Sequence, residues 1–349
     1  MSLRFNKAAG IGGIGTGILF HTGDNTTLGR SESRLAELSD AKDYCKLHIV
    51  FNYTAVLLAP LANIYPIGYV GKDANGAALL DEIRQAGMDT AYISADKNLP
   101  TMISVCLQYP DQETCNVTAA NSASNLVTPE YTENCMNRIG IDASTIVAAL
   151  PEVQVQSRIR MLKYGKERGA FCVLSVPESE AGEFKSAGIF GACDLLAVNV
   201  NEALALAPGK DGKKETSLRL YGYLAEFNPE IMVLVTCGKY GAYSVYNRKL
   251  EFIPNFPAVA VNTTGAGDAC LGGVMAGLAL GMPFQKGRDD AQFGDSPLSS
   301  AVELGTCCAG MAVETADTIA HHVNAKTINE RIKQHRWKKE PWFLAGVSE

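Results

Sequence analysis

Short apolar runs alternate with longer helix-like stretches through most of this chain, and that alternation restricts the folds open to it. Strand-like runs recur at residues 65–73, 102–109, 171–176, 195–198 and 231–236, with helical patterns at 76–89, 153–168 and 217–227. In the first helical stretch Leu79, Leu80, Ile83 and Ala86 share one face, and Gly87 stands where a helix end favours glycine. Strands separated by helices predict βαβ units, so the expected fold is α/β: a doubly wound, mostly parallel sheet with helices on both faces. The 349 residues suit a single large domain spanning 1–349 with a small accessory piece. Residues 8–20 read as a buried strand and its turn, and 49–61 as a buried helix. The polar segment 21–46 is expected to project outward as a loop, flap or short helix.

Bulk properties narrow the function. Hydrophobic residues make up 47% and charged residues 19%, a balance that supports a large core. With a net charge of −6 and no basic stripe in the body of the chain, nucleic acid is not an expected partner. No apolar run reaches the roughly 18 residues of a membrane span, and the N-terminus has no signal-like apolar region, so a cytoplasmic protein is expected. The ten cysteines are scattered without a C-x-x-C pair and read as reduced, buried thiols. The N-x-S/T triplets at Asn25, Asn52, Asn116 and Asn262 read as chance matches, and His321 and His322 lack partners for a metal. Residues 286–300 are expected to form a surface loop. The basic tail is expected to end a solvated helix, with Trp337 and Trp342 docked on the body.

The strongest chemical signal is Asn262-Thr-Thr-Gly-Ala-Gly-Asp268, followed by a stretch without charge through Gly281. Small residues let a backbone turn tightly and approach a ligand. Gly265, Ala266 and Gly267 would then present N–H groups at the start of a buried helix, where an anion is stabilised. Asp268 beside that anion is placed to take a proton from an attacking hydroxyl, one of the few tasks phosphoryl transfer requires of a protein. The plainer role, capping the helix, is less favoured because T-G-A-G precedes the aspartate. A second glycine run, Gly10-Ile-Gly12-Gly-Ile-Gly15, fits G-x-G-x-x-G, but strand-like residues follow it instead of a helix. It reads as a strand packed closely against a ligand or helix, not as a dinucleotide site.

Residues 263–273 (TTGAGDACLGG) closely resemble the C-terminal signature of the PfkB-family carbohydrate kinases, which include ribokinase, fructokinase and adenosine kinase. Residues 67–90, 194–203 and 233–242 match further segments of that family in the family's order. The resemblance implies an ATP-dependent kinase that moves the γ-phosphate to a hydroxyl of a small sugar or polyol. Asp268 would be the base, and Gly265, Ala266 and Gly267 the anion hole. Thr236, Gly238, Gly241, Thr264 and Asn199 would line the nucleotide. Asn199 and Glu202 would organise Mg²⁺, and a carboxylate acting on Mg²⁺ through water is chemically reasonable. The same pair also fits a capping box, and the two roles are compatible. A monovalent cation is a further implied cofactor, a homodimer a further implied partnership, and segments near 19–46 and 101–118 would form a small β lid.

The acceptor half departs from the family. Alignment on Asn52 puts Leu47 and His48 where a Gly-Gly pair is usual, and the first strand offers Thr16 where many members carry an aspartate. The segment 175–178 also lacks the family's D-x-N-x-R pattern. Thr16, Asp24, His48 and Asn52 are the expected acceptor contacts, with ribose and fructose expected to be poor substrates. Two alternatives are a nucleoside kinase using Phe20, Phe51, Tyr53 or Tyr65 against a base, and a catalytically idle member that binds a ligand.

Overall fold

The structure, a computed structural model, describes residues 3–111, 114–210, 212–286 and 298–335. Trp337, Trp342 and residues 287–297 of the expected surface loop lie outside the described residues. In chain order the strands are β1 (Lys7–Ile11), β2 (Gly15–Thr22), β3 (Ala36–Leu38), β4 (Asp43–Tyr44), β5 (Asn63–Gly71), β6 (Ile93–Asp96), β7 (Met102–Gln108), β8 (Thr114–Thr118), β9 (Thr145–Ala149), β10 (Phe171–Leu174), β11 (Leu195–Asn199), β12 (Met232–Thr236), β13 (Ala242–Tyr246) and β14 (Lys249–Ile253). The helices are α1 (Lys46–Leu58), α2 (Ala74–Gln85), α3 (Pro129–Ile139), α4 (Val155–Glu167), α5 (Ala181–Ala187), α6 (Val200–Leu206), α7 (Lys213–Ala225), α8 (Ala266–Ala279), α9 (Ala301–Ala312) and α10 (Ala325–His335).

Nine strands form the central sheet in the order β14-β13-β12-β11-β10-β9-β1-β5-β6. Neighbours are parallel except at β13, which runs against both β12 and β14. Helices cover both faces, so the inner strands are apolar on both sides and read as unbroken hydrophobic runs. One core gathers α1, α2, α8, α9 and α10 against one face, and a second gathers α3 to α7 against the other. Among the described residues no helix is long and apolar enough to cross a membrane.

A second sheet, β3-β2-β7-β8 with β4 on β2, stands apart from the first. It corrects the expectation of one strand and its turn over residues 8–20. The chain leaves the central sheet after Ile11, crosses at Gly12 and Gly13, and enters the second sheet as β2. The polar segment 21–46 contributes the end of β2, then β3 and β4, and only its last residue, Lys46, is helical, as the start of α1.

The glycines of the first run each admit a neighbour. An added Cβ would lie 2.4 Å from Phe51 at Gly10, 2.8 Å from Leu47 at Gly12 and 2.5 Å from the Met102 carbonyl at Gly15. The run is therefore a packing seam, as its strand-like continuation implied. Helix α8 depends on the same economy. A Cβ at Gly272 would lie 2.5 Å from the Val50 carbonyl oxygen, and the Thr54 hydroxyl donates to the Gly272 carbonyl at 3.2 Å. Backbone lies on the far side of that contact and cannot swing away. Gly272→Ala is expected to lower the stability by about 1–3 kcal/mol, the usual cost of overpacking, as a fall in the thermal unfolding midpoint.

Candidate active site

The loops that follow β9, β11 and β12 and the start of α8 meet at the carboxyl ends of the parallel strands, where α/β sheets place their ligands. A pocket of about 170 Å³ opens there, with Asp43, Lys46, Ser104, Asn116, Glu152 and Asp268 in its lining. The second sheet supplies one wall, through Asp43 on β4, Ser104 on β7 and Asn116 on β8.

Gly265 is the N-cap of α8 with φ +79°, and a Cβ there would also press on Thr318 and Ile49, so glycine is required twice over. The loop before it is pinned: the Thr264 N–H donates to Asn262 Oδ1 at 2.9 Å, and Asn262 Nδ2 donates to the Ala316 carbonyl at 2.7 Å. The N–H groups of Gly267 and Asp268 fall in the first turn and have no intrahelical acceptor. Among the described residues the buried Thr264 Oγ1 has no hydrogen-bond partner. This turn therefore leaves donors free at a helix start, an arrangement suited to an anion. Asp268 projects from the same turn into the pocket and pairs with Lys46 Nζ at 3.1 Å.

Residues 52–324 match the pfkB family carbohydrate kinase domain. The chain belongs to this family. A ribokinase of Staphylococcus aureus is 24% identical over 246 residues, covering 70% of this chain and 74% of the relative. A protein described as a ribokinase II from E. coli, solved with ATP and Mg²⁺, superposes with a TM-score of 0.72 at 17% identity, covering 95% of this chain and 100% of the other. A nucleoside kinase of Burkholderia thailandensis solved with inosine superposes with a TM-score of 0.70 at 14% identity, covering 94% and 97%. At these identities the structural likeness is one of fold.

Within this PfkB-family chain the remaining expected residues divide into three groups. Thr236 adjoins α8: a Cβ on Gly267 would lie 3.6 Å from its hydroxyl. Gly238 (φ +57°) and Gly241 (φ +116°) shape the turn between β12 and β13, beyond Thr236. Asn199 and Glu202 form a reciprocal capping box on α6, the Asn199 N–H donating to Glu202 Oε2 at 2.7 Å and the Glu202 N–H to Asn199 Oδ1 at 2.9 Å. Burial raises the Glu202 pKa, and Lys46 opposes that shift, which places this carboxyl in electrostatic reach of the pocket. Among the described residues no group of three or more His, Cys, Asp or Glu is arranged to hold a metal.

The acceptor residues fare differently. Leu47 and His48 do not intrude on the pocket, because both are buried inside α1. Leu47 lies against Gly12, and His48 packs edge-on against Tyr44, with burial pushing its pKa down to about 4. Asn52 is buried a turn further along α1. None of the three lines the pocket. Asp24 is exposed, accepting from the Thr26 N–H at 2.7 Å and pairing with Arg34 at 3.0 Å. Thr16 adjoins the lining directly, its hydroxyl donating to the Asp43 carbonyl at 3.3 Å, and His48 reaches it only through its ring contact with Tyr44.

Sequence reasoning passed over Asp43, Lys46 and Glu152. Lys46 is the first residue of α1, and its charge before an apolar helix was the available signal. Its pKa is raised because Asp268 and Glu202 outweigh burial, which acts the other way. Glu152 follows β9 with φ +73°, a conformation that side chains rarely adopt, and among the described residues its Oε2 is buried without a hydrogen-bond partner. Burial first, and the Asp268 charge second among the effects that raise it, push the Glu152 pKa up to about 7.

That shift predicts a pH-dependent stability cost. Below the ordinary value of 4.5 Glu152 is protonated folded and unfolded, and contributes nothing. As pH rises toward about 7 the unfolded chain ionises first, and stability is lost until the folded carboxyl ionises too. Glu152→Gln should therefore melt higher than wild type at pH 8, with the gap closing toward pH 4.5, as read by thermal unfolding at the two pH values.

Proposed function

We propose that this chain transfers the γ-phosphate of ATP to a hydroxyl of a small carbohydrate or polyol held in the pocket, with Asp268 as the general base. The observation that carries the proposal is the position of Asp268: in the first turn of α8, beside unpaired N–H groups, inside the pocket, and paired with Lys46. The N–H groups of that turn and the Thr264 hydroxyl would receive the transferring phosphate. Thr236, Gly238 and Gly241 would follow the rest of the nucleotide along the end of β12. The acceptor hydroxyl would donate to Asp268, which takes its proton as the oxygen attacks phosphorus. Lys46 would hold the Asp268 carboxylate in place and offset negative charge gathering beside it.

Mg²⁺ bound to the triphosphate would neutralise its oxygens. Glu202 suits a role through water, since its Oε2 is committed to the cap while its other oxygen is not part of the capping box. The second sheet would act as a lid, because Ser104 and Asn116 already stand over the pocket from β7 and β8. Ile103, Val105, Val117 and Leu38 are exposed on that sheet, which supports a homodimer formed through it.

A nucleoside acceptor is less well supported. Phe51 and Tyr53 are buried in the core, Tyr65 packs edge-on against Tyr92, and none of them, nor Phe20, lines the pocket. An idle ligand-binding role leaves the Asp268–Lys46 pair without a purpose.

Asp268→Asn should cut turnover by about 10²–10⁴-fold while ATP binding, followed by calorimetry, persists. Near-normal turnover would exclude Asp268 as the base. Glu202→Gln separates the two roles of that residue, since glutamine also completes a capping box. Thermal stability should hold while the Mg²⁺ concentration for half-maximal rate rises; an unchanged Mg²⁺ dependence would leave Glu202 as a cap alone.

A further inference from the structure

Cys45 holds the N-cap position of α1, where a side chain ordinarily accepts a backbone N–H, yet its side chain makes no cap. The thiol is buried and turned instead to the thioether of Met102 at the start of β7, donating to Sδ at 3.6 Å. Other cysteines direct their sulfur to oxygen: Cys172 and Cys237 donate to backbone carbonyls, and Cys115 meets the Tyr109 hydroxyl. The Glu152 carboxylate closes the third side. It bears on the Cys45 thiol, and among the described residues its Oε2 has no hydrogen-bond partner. Glycine at the crossing between the two sheets leaves room for this cluster. A Cβ at Gly13 would lie 2.7 Å from Glu152 Oε2 and 3.1 Å from Met102 Sδ, and one at Gly15 would lie 3.0 Å from Cys45 Sγ. Cys45 and Glu152 both line the pocket.

A thiol, a thioether and a carboxylate oxygen gathered in one place are a ligand set, and the spacing of the sulfurs fits one. A metal–thiolate bond is about 2.3 Å, so two metal–sulfur bonds of that length at the tetrahedral angle hold the sulfurs about 3.8 Å apart. The observed 3.6 Å asks for almost no rearrangement. The donor types select the ion. Thioether and thiolate sulfur are soft ligands that suit Cu(I). Zinc is held by Cys, His and carboxylate, and among the described residues no three such groups are arranged to hold a metal. We propose that Cys45 and Met102, supported by Glu152, bind Cu(I) at the pocket wall, where the ion obstructs the pocket. The Cys45 proton leaves to solvent as the sulfur–copper bond forms. The copper stays Cu(I) throughout, so the step needs neither oxidant nor reductant. This site goes beyond the kinase reading, because copper binding does not depend on what the pocket phosphorylates.

Anaerobic titration of the full chain with Cu(I) against the chelator bathocuproine disulfonate reads binding without turnover. Wild type is expected to retain one Cu(I) per chain, to gain a near-ultraviolet thiolate-to-copper absorption, and to melt higher with the ion than without it. Cys45→Ser should lose all three signals. Met102→Leu and Glu152→Gln should each weaken binding by at least about tenfold, the lower end of what even an outer-shell partner of a metal costs. Cys115→Ser, which removes an exposed cysteine, should bind as wild type does, and excess Zn²⁺ should not displace the ion. Thermal unfolding without metal establishes that each variant is folded. Copper that the chelator strips from wild type, or that folded Cys45→Ser or Met102→Leu holds with undiminished affinity, would overturn the site. In a second arm, Cu(I) should suppress ADP release by wild type in proportion to the copper bound and leave Cys45→Ser unaffected. Wild type that holds copper yet turns over normally would overturn the obstruction. A chain that holds copper through Cys45 but phosphorylates no acceptor would remove the kinase reading and leave the copper site standing.

Discussion

The close approach of α1 to α8 is the contact on which the rest of the site depends. Gly272 lets the two backbones meet, and the Thr54 hydroxyl ties them. Because α1 begins with Lys46 and α8 begins with Gly265, packing the helices side by side brings an ammonium to the Asp268 carboxylate. The ion pair is thus a consequence of helix register in a buried interface. A shift of either helix would separate its members while leaving each residue chemically unchanged.

Electrostatics in the pocket follow from that arrangement. The Asp268 charge bears on Asp43, Glu152 and Glu202, and Lys46 is the cation that moderates Glu152 and Glu202. Burial raises the pKa of three of these carboxyls, Asp43, Glu152 and Glu202, against the interest of the folded state. Residues retained at a cost to stability are the kind expected where a ligand is to be bound. The strained backbone of Glu152 points the same way, since the loop after β9 holds it in a conformation glycine would adopt more readily.

The second sheet gives the site its closed side. Its strands come from two distant stretches of chain, residues 15–44 and 102–118, which pair through the parallel contact of β2 with β7. The segment 42–44 is also tied to the chain after α9: the Thr318 N–H donates to the Lys42 carbonyl at 3.0 Å, and the Tyr44 N–H to the Thr318 hydroxyl at 3.1 Å. These ties carry Asp43 to the pocket from a stretch that looks, in one dimension, like solvated loop.

Local chemistry made much of this protein legible in the sequence. The alternation of apolar runs with amphipathic stretches determined the parallel sheet and its helices, because strand and helix periods differ. The glycines before Asp268 determined a tight helix start, with Gly265 at positive φ as its N-cap, because only small residues permit that turn. The Asn199 and Glu202 spacing determined a capping box, which depends on neighbours three residues apart. What joined residues far apart in the chain was decided by tertiary structure alone. The split of residues 8–20 between two sheets turns on which strands pair. The burial of His48 and Asn52, and the arrival of Lys46, Asp43 and Glu152 at Asp268, turn on how α1 lies against α8 and β4 against β2. Such contacts are set by packing over long separations, and no spacing within a single segment encodes them.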